Sequence, residues 1–430
     1  MFTQHWKLFF HACFWFLASL HVYAEPGLSL AEAMRLSTQH QPLLESLDNA
    51  SSSSMAAAVA SSQLPDPRLK LGVVNLPVTS SDAFRFNRDD MTMSTIGVMQ
   101  EMVPTAKREA GARAMQATAT QYQTEKIATS KSIQRDAGLA WLDVYEAQRK
   151  VELYQRIMNE MTAERNVIKA RIASGGAQLA EVFKLDTQLS NTHHLFITAQ
   201  RDERKARALL SRWIGGAANQ PISSELPMYA NAIHRDALKE QIDKHPLVVN
   251  AKQIEQVAIS ETDRAKADRE LNWSWEVMYG KRRSDLSDMV TLQVAIDLPW
   301  DRPNRQDKRT AEKMLLVEKA RKLTEDRRLE LSAELADVLA DQEAAKARED
   351  EHQQRLIPTA KALLGLAQAG YQAGKQNLSE VWDARRGLIE VEMEHWAILT
   401  DIQRAAIKLT YLTNSDPFGN APSGYSQMLE

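Results

Sequence analysis

Four short stretches with a two-residue alternation interrupt a chain that otherwise repeats its apolar positions at helical spacing. In ELNWSWEVMYG (Glu270 to Gly280), Leu271, Trp273, Trp275, Val277 and Tyr279 share one face, opposite Asn272, Ser274 and Glu276. In DMVTLQVAIDLPW (Asp288 to Trp300), Val290, Leu292, Val294, Ile296 and Leu298 oppose Thr291, Gln293 and Asp297. PRLKLGVVN (Pro67 to Asn75) and TMSTIGVMQEMV (Thr92 to Val103) form an earlier pair. Period two predicts strands, and about 10 residues is the length a tilted strand needs to cross a bilayer. Trp273, Trp275, Tyr279 and Trp300 suit an aromatic girdle at a lipid–water boundary. The pattern also admits a soluble sheet with one face packed on helices. Four strands in lipid cannot close a barrel alone, because a membrane tolerates no open edge. Three copies would supply twelve strands.

The helices flanking the strands are predicted to be long. No proline falls between Thr105 and Ala173, and Leu139, Leu142, Tyr145, Val151, Tyr154 and Ile157 make one stripe. About 68 helical residues reach roughly 100 Å. Arg302 to Ala373 is the counterpart, with a kink or junction expected at Pro358. Return helices are predicted from about Leu179 to Trp213 and from Leu378 to Leu412, after turns holding Gly175, Gly176 and Gly374. Much of their surface is polar, which predicts coiled-coil-like walls rather than a globule. Small residues in SSSSMAAAVASS (Ser51 to Ser62) would let the helix before the first strand pack closely.

The pattern occurs twice. LSLAEAMRLSTQHQPLLES (Leu28 to Ser46) returns as IHRDALKEQIDKHPLVVNA (Ile233 to Ala251), with Pro42 and Pro246 204 residues apart. ASGGAQLAEV (Ala173 to Val182) answers QAGKQNLSEV (Gln372 to Val381) at a spacing of 199. Self-similarity at so long a period implies two structural halves. The expected organisation is a leader at 1–24, a first repeat at 25–215, a link at 216–232, a second repeat at 233–414 and a flexible tail at 415–430.

Composition narrows the function. Lys7, the apolar run LFFHACFWFLASL and the small residue Ala24 read as an export signal, too short for a comfortable membrane anchor. A lipoprotein reading would use Cys13, but FHAC is a poor lipobox. Cys13 is the one cysteine, so a processed chain has no disulfide, thiolate metal site or cysteine nucleophile. Of 53 Lys and Arg against 56 Asp and Glu, the leader holds one base and no acid, shifting the net charge from −3 to −4. No basic stripe stands out, which argues against a nucleic-acid partner. No later apolar run reaches the length of a transmembrane helix. No phosphate loop, zinc signature or serine–histidine–acid arrangement points to an enzyme, and no cofactor is implied.

The order helix, two strands, long helices with a glycine turn, then all of it again, resembles the TolC family of outer-membrane efflux ducts. LSLAEAMRLSTQHQPLL, LPDPRLKLGV, the LPW after the last strand and YQAGKQNLSEVWDARRGLIEVE carry the resemblance across the whole processed chain. SDMVTLQVAIDLPWDRPNRQ and RLIPTAKALLGLAQAGYQAG look most like the branch serving heavy-metal pumps of the cobalt–zinc–cadmium and copper–silver type. The resemblance implies a mainly α fold with membrane β structure, a homotrimer with a twelve-stranded outer-membrane barrel, and a helical tunnel through the periplasm. It also implies a periplasmic adaptor (membrane fusion protein) and a proton-driven inner-membrane resistance-nodulation-division pump. A duct for drugs or other organic solutes remains open, as does a periplasmic helical adaptor or scaffold, although neither scaffold needs aromatic strands.

By motif position the resemblance makes Glu181 an acidic lock residue of the periplasmic gate and Tyr371 its tyrosine. Gln376, with Lys375 beside it, stands where the well-studied member of the family has an arginine, so Glu181 would rely on Tyr371, Gln376 or Lys375. Glu380 and Asp383 match acidic ring positions that would attract cations around the threefold axis. Glu380 also fits a helix-start carboxylate favoured by the dipole, a reading second to the ring. Other features read as bland. His193 and His194 point about 100° apart on a helix. Met91, Met93, Met99 and Met102 are more often filler than a soft-metal ladder. Glu392, Glu394 and His395 suit a solvated helix face.

Overall fold

The computed structural model describes residues 27–175, 178–226 and 238–415. The leader, Gly176, the later part of the link and the tail from 416 onward lie outside the described residues. Helix α1 (Leu30–Leu36) is capped by Ser29, whose hydroxyl accepts the Glu32 N–H. Helix α2 (Pro42–Ser62) opens on proline, whose missing N–H costs nothing in a first turn. Strands β1 (Arg68–Val74) and β2 (Met93–Met102) follow, then α3 (Thr105–Ala173), 69 residues without a break. Helix α4 (Leu179–Ile214) returns, ending in a 3₁₀ turn at Gly215–Asn219.

The second half repeats that order with α5 (Leu238–Asp243), α6 (Pro246–Ala267), β3 (Trp273–Lys281) and β4 (Met289–Ile296). Its long helix is divided. Helix α7 (Gln306–Glu351) passes through a π turn (His352–Leu356) into α8 (Ile357–Gln372), and α9 (Leu378–Leu412) returns. The break expected at Pro358 therefore lies just before it. Proline has no N–H and its ring crowds the carbonyl four residues back. The Ile357 N–H instead bonds the His352 carbonyl five residues back, so the strain is absorbed by a wider turn.

Helix α3 is the shared spine. Near the strands it packs on α2 and α6, with α7 beyond α6; towards its other end it packs on α4 and α9, with α8 against α9. The α2–α3 seam is built of small residues. Ser51 and Ala58 of α2 are buried, Gly111 of α3 faces Ser61, and the Ser51 hydroxyl donates to the Ala119 carbonyl at 3.1 Å. At mid-length Trp141 is fully buried, stacks on Tyr145 at 5.6 Å and donates its indole N–H to the Leu28 carbonyl at 2.9 Å. Leu28 in turn forms a parallel bridge with Ile222, so the link between the halves is stitched to the start of the first.

The four strands form one antiparallel sheet in the order β1-β2-β3-β4. Register aligns Leu69, Val98, Val277 and Leu292 in one row, and Leu71, Ile96, Tyr279 and Val290 in the next of the same parity. The opposite face carries rows such as Lys70, Gly97, Met278 and Thr291, and Lys70 pairs with Glu276 across the sheet. The apolar face is bare. Every residue of β1 and β4 is exposed, Leu292 to 76%, which excludes a sheet seated on helices by that face. Both lateral edges, β1 and β4, lack a partner strand among the described residues.

One expected strand is shortened. The Asp297 N–H makes a last bond to the Asn272 carbonyl at 2.9 Å, but Pro299 has no N–H to continue the ladder. Trp300 thus stands in the following turn, 92% exposed, rather than on β4 as the alternation suggested. Trp273, Trp275 and Tyr279 do lie on β3.

Candidate functional site

The two helical hairpins end in turns built alike. Gly175 has φ +77° and Gly374 φ +72°, the left-handed conformation that a side chain disfavours. In the second turn the Gly374 N–H bonds the Tyr371 carbonyl at 3.0 Å and the Lys375 N–H bonds the Gly370 carbonyl at 2.9 Å. That pair of bonds is the glycine-ended closure that satisfies a helix's last carbonyls. The first turn repeats its inner bond, Gly175 N–H to Ile172 carbonyl at 3.0 Å.

Between the turns, three helices meet at one hydroxyl. Tyr371 on α8 donates its O–H to Glu181 Oε2 on α4 at 3.0 Å. Arg171 at the end of α3 donates from Nη1 to the same Tyr371 oxygen at 2.8 Å, its guanidinium lying 5.2 Å from the ring centre. The other carboxylate oxygen, Glu181 Oε1, accepts the Gln178 N–H at 3.3 Å and so closes the first turn of α4. Burial first, and the bond to Glu181 second, push the Tyr371 hydroxyl above its ordinary value, so it stays a donor at any physiological pH.

Gln376 folds back over Gly370 in its own turn, and Lys375 stands exposed. Of the three partners considered for Glu181, the structure brings up Tyr371. The guanidinium that position 376 lacks comes instead from Arg171, which sequence reasoning missed. Arg171 stands 199 residues before Gly370, so the repeat offers no mate to flag it, and its partner lies on a distant helix.

The acidic candidates differ from one another. Glu380 is the repeat mate of Glu181 and holds the same third position of its helix, yet its carboxylate is exposed and Asn377 gives no side-chain cap. Asp383 is exposed and sits 3.4 Å from Arg386 on its own helix. Further along the α3–α9 seam, Arg385 lies 3.4 Å from Glu160 and 3.8 Å from Glu164, and Arg156 lies 2.6 Å from Glu392. Burial raises the Glu164 carboxyl against the pull of Arg385. Glu394 turns instead to Arg348, and His193 and His194 are both exposed. Met99 and Met102 fall on opposite faces of β2 and Met91 in the turn before it. Among the described residues no group of three or more His, Cys, Asp or Glu could hold a metal ion.

On the sheet, Trp273 and Trp275 mark the helical end of the apolar face, and Tyr279, bonded to Asp288, its loop end. The six-residue step from Trp273 to Tyr279 spans about 20 Å. No described helix is long and apolar enough to cross a membrane.

Residues 239–415 match the family described as outer membrane efflux protein. No curated protein matches the sequence as a relative. The fold is shared with solved channel structures at low identity. Similarity to CusC, described in terms of folding and transmembrane channel formation, has a TM-score of 0.71 at 14% identity over 90% of this chain and 92% of that one. The Campylobacter jejuni CmeC outer membrane channel gives 0.75 at 10% identity over 93% and 88%. The open state of the Neisseria gonorrhoeae MtrE outer membrane channel gives 0.71 at 14% over 90% and 89%.

Proposed function

We propose that this chain is one third of an outer-membrane export duct. Three copies pool twelve strands into a closed barrel, and their helices line a tunnel through the periplasm. The observation that carries the reading is the sheet: one apolar face bare across all four strands, and two edges open. In lipid the bare face is satisfied by acyl chains, but the edges require neighbours. The efflux-family match over the second half and the shared channel fold support the same reading.

The duct is passive. Its walls conduct what a periplasmic adaptor and an inner-membrane pump of the resistance-nodulation-division class deliver, and the Arg171–Tyr371–Glu181 contact holds the tips together when closed. The cargo we assign is heavy-metal cations. The branch-like segments at 287–306 and 355–374 and the exposed carboxylates of Glu380 and Asp383 near the tip support this. Acidic groups around a narrow axis concentrate cations and repel anions.

Fractionation and a deletion strain test both levels. The protein should require detergent, run as a trimer and conduct ions in planar bilayers, and the strain should lose tolerance to divalent heavy metals. A water-soluble monomer would overturn the duct. Sensitivity to organic toxins alone would overturn the metal cargo and leave an organic-solute duct.

A further inference from the structure

The two halves tie their parts together with different chemistry at one equivalent point. Before Pro42, Gln41 donates its side-chain N–H to the Trp213 carbonyl at 2.7 Å, one residue short of the end of α4. Before Pro246, His245 makes the matching tie to the Tyr411 carbonyl at 3.1 Å, one residue short of the end of α9. An amide cannot titrate near neutrality; an imidazole can.

His245 is engaged on every side. It is 1% exposed, and its ring meets Tyr411 edge-on at 4.9 Å. Nδ1 accepts the Leu247 N–H at 3.2 Å and so caps α6. Because that partner can only donate, Nδ1 carries no hydrogen, and Nε2–H is the donor to Tyr411. A second proton has one place to go, Nδ1, where it would face the Leu247 N–H.

The surroundings offer that proton little compensation. Helix α3 presents Lys131 and Arg135, and Arg135 stacks on the Tyr411 ring at 4.4 Å. The carboxylates nearby are engaged elsewhere. Asp136 pairs with Arg135 at 2.8 Å, and Asp243 on α5 pairs with Arg328 of α7 at 2.7 Å while its carbonyl accepts from Lys252 of α6. Glu334 of α7 acts on Arg135. The Tyr411 hydroxyl meets Ser132 at 3.3 Å.

We propose that His245 makes the second half's joint acid-sensitive: protonation from bulk solvent at Nδ1 breaks the α6 cap and frays the start of α6, with Nε2–H still held by the Tyr411 carbonyl, while the Gln41 joint does not respond. Helix α6 leads into β3 and α9 returns from the hairpin tip, so the joint couples the sheet end to the tip end in one half only. Burial foremost, opposed by the Tyr411 carbonyl and aided by Arg135 and Lys131, pulls the imidazole down from 6.5 to about 4. A folded value below the unfolded one means the contribution is complete above about pH 6.5 and is lost as pH falls towards about 4.

Hydrogen exchange on the assembled, detergent-solubilised protein tests this without reference to transport. After correction for intrinsic rates, protection of Leu247 to Val249 should fall at least tenfold between pH 7.5 and 4.5, while that of Leu43 to Glu45 at the start of α2 should not. His245→Gln, which copies the first half, should abolish the difference. Equal responses of the two helix starts in the unmodified protein, a comparison needing no variant, would overturn the proposal. So would an acid response that persists in H245Q.

Discussion

At the scale of single residues, the tip contact is a small interaction placed where small interactions multiply. A hydrogen bond to a charged partner is worth about 1.5–3 kcal/mol at most when well buried, and Tyr371 is only partly so. About 1 kcal/mol per copy is the reasonable scale, and in the proposed trimer it would act three times. Tyr371→Phe keeps the ring under Arg171 and removes the hydroxyl that joins Arg171 to Glu181. It should raise the open fraction of single channels several-fold, with little change in thermal stability. Glu181→Gln should open less, because its single amide oxygen can still accept the Tyr371 O–H, at the expense of the bond from the Gln178 N–H. Equal, wild-type-like gating in both variants would remove the lock from this site. Glu181 and Tyr371 could be read from the sequence because they stand at motif positions. Arg171 could not, because its meaning lies in a helix 200 residues away in the chain.

At the scale of elements, periodicity located the strands and helices well and their ends less well. Alternation in DMVTLQVAIDLPW runs on to Leu298, but pairing depends on backbone donors, and Pro299 removes one. Side-chain pattern alone cannot register that loss. Likewise Pro358 announced a break, but not that the chain would widen into a π turn before it. Small residues were informative in the other direction. The serines and alanines of α2 predict close packing, and Ser51 and Ala58 are buried against α3. The small residues of α3 yield a direct test. Ala114 of α3 is fully buried, so Ala114→Leu forces extra methylenes into a closed contact. It should cost about 1–3 kcal/mol, measurable in denaturant as an earlier loss of trimer.

At the scale of the whole molecule, a membrane barrel requires the sheet to turn one particular face to lipid. Register fixes this independently of any resemblance: Val277 lies in a row with Leu69, Val98 and Leu292, and Thr291 lies in a row with Lys70, Gly97 and Met278. If the first face meets acyl chains and the second a watery lumen, the same substitution must have opposite consequences on adjacent strands. An arginine facing lipid near the bilayer centre costs about 2–4 kcal/mol, whereas lumen positions mainly tune selectivity. Val277→Arg should therefore reduce recovery of the trimer from outer membranes severalfold. Thr291→Arg should assemble normally and lower cation conductance, since each trimer gains three positive charges around one axis. A sheet that instead docked on another protein by its bare face would also be disrupted by Val277→Arg and spared by Thr291→Arg, but no cation conductance would respond to Thr291→Arg. The two variants, compared for assembly and for current, separate a membrane barrel from a buried interface using this chain's own pleat as the ruler.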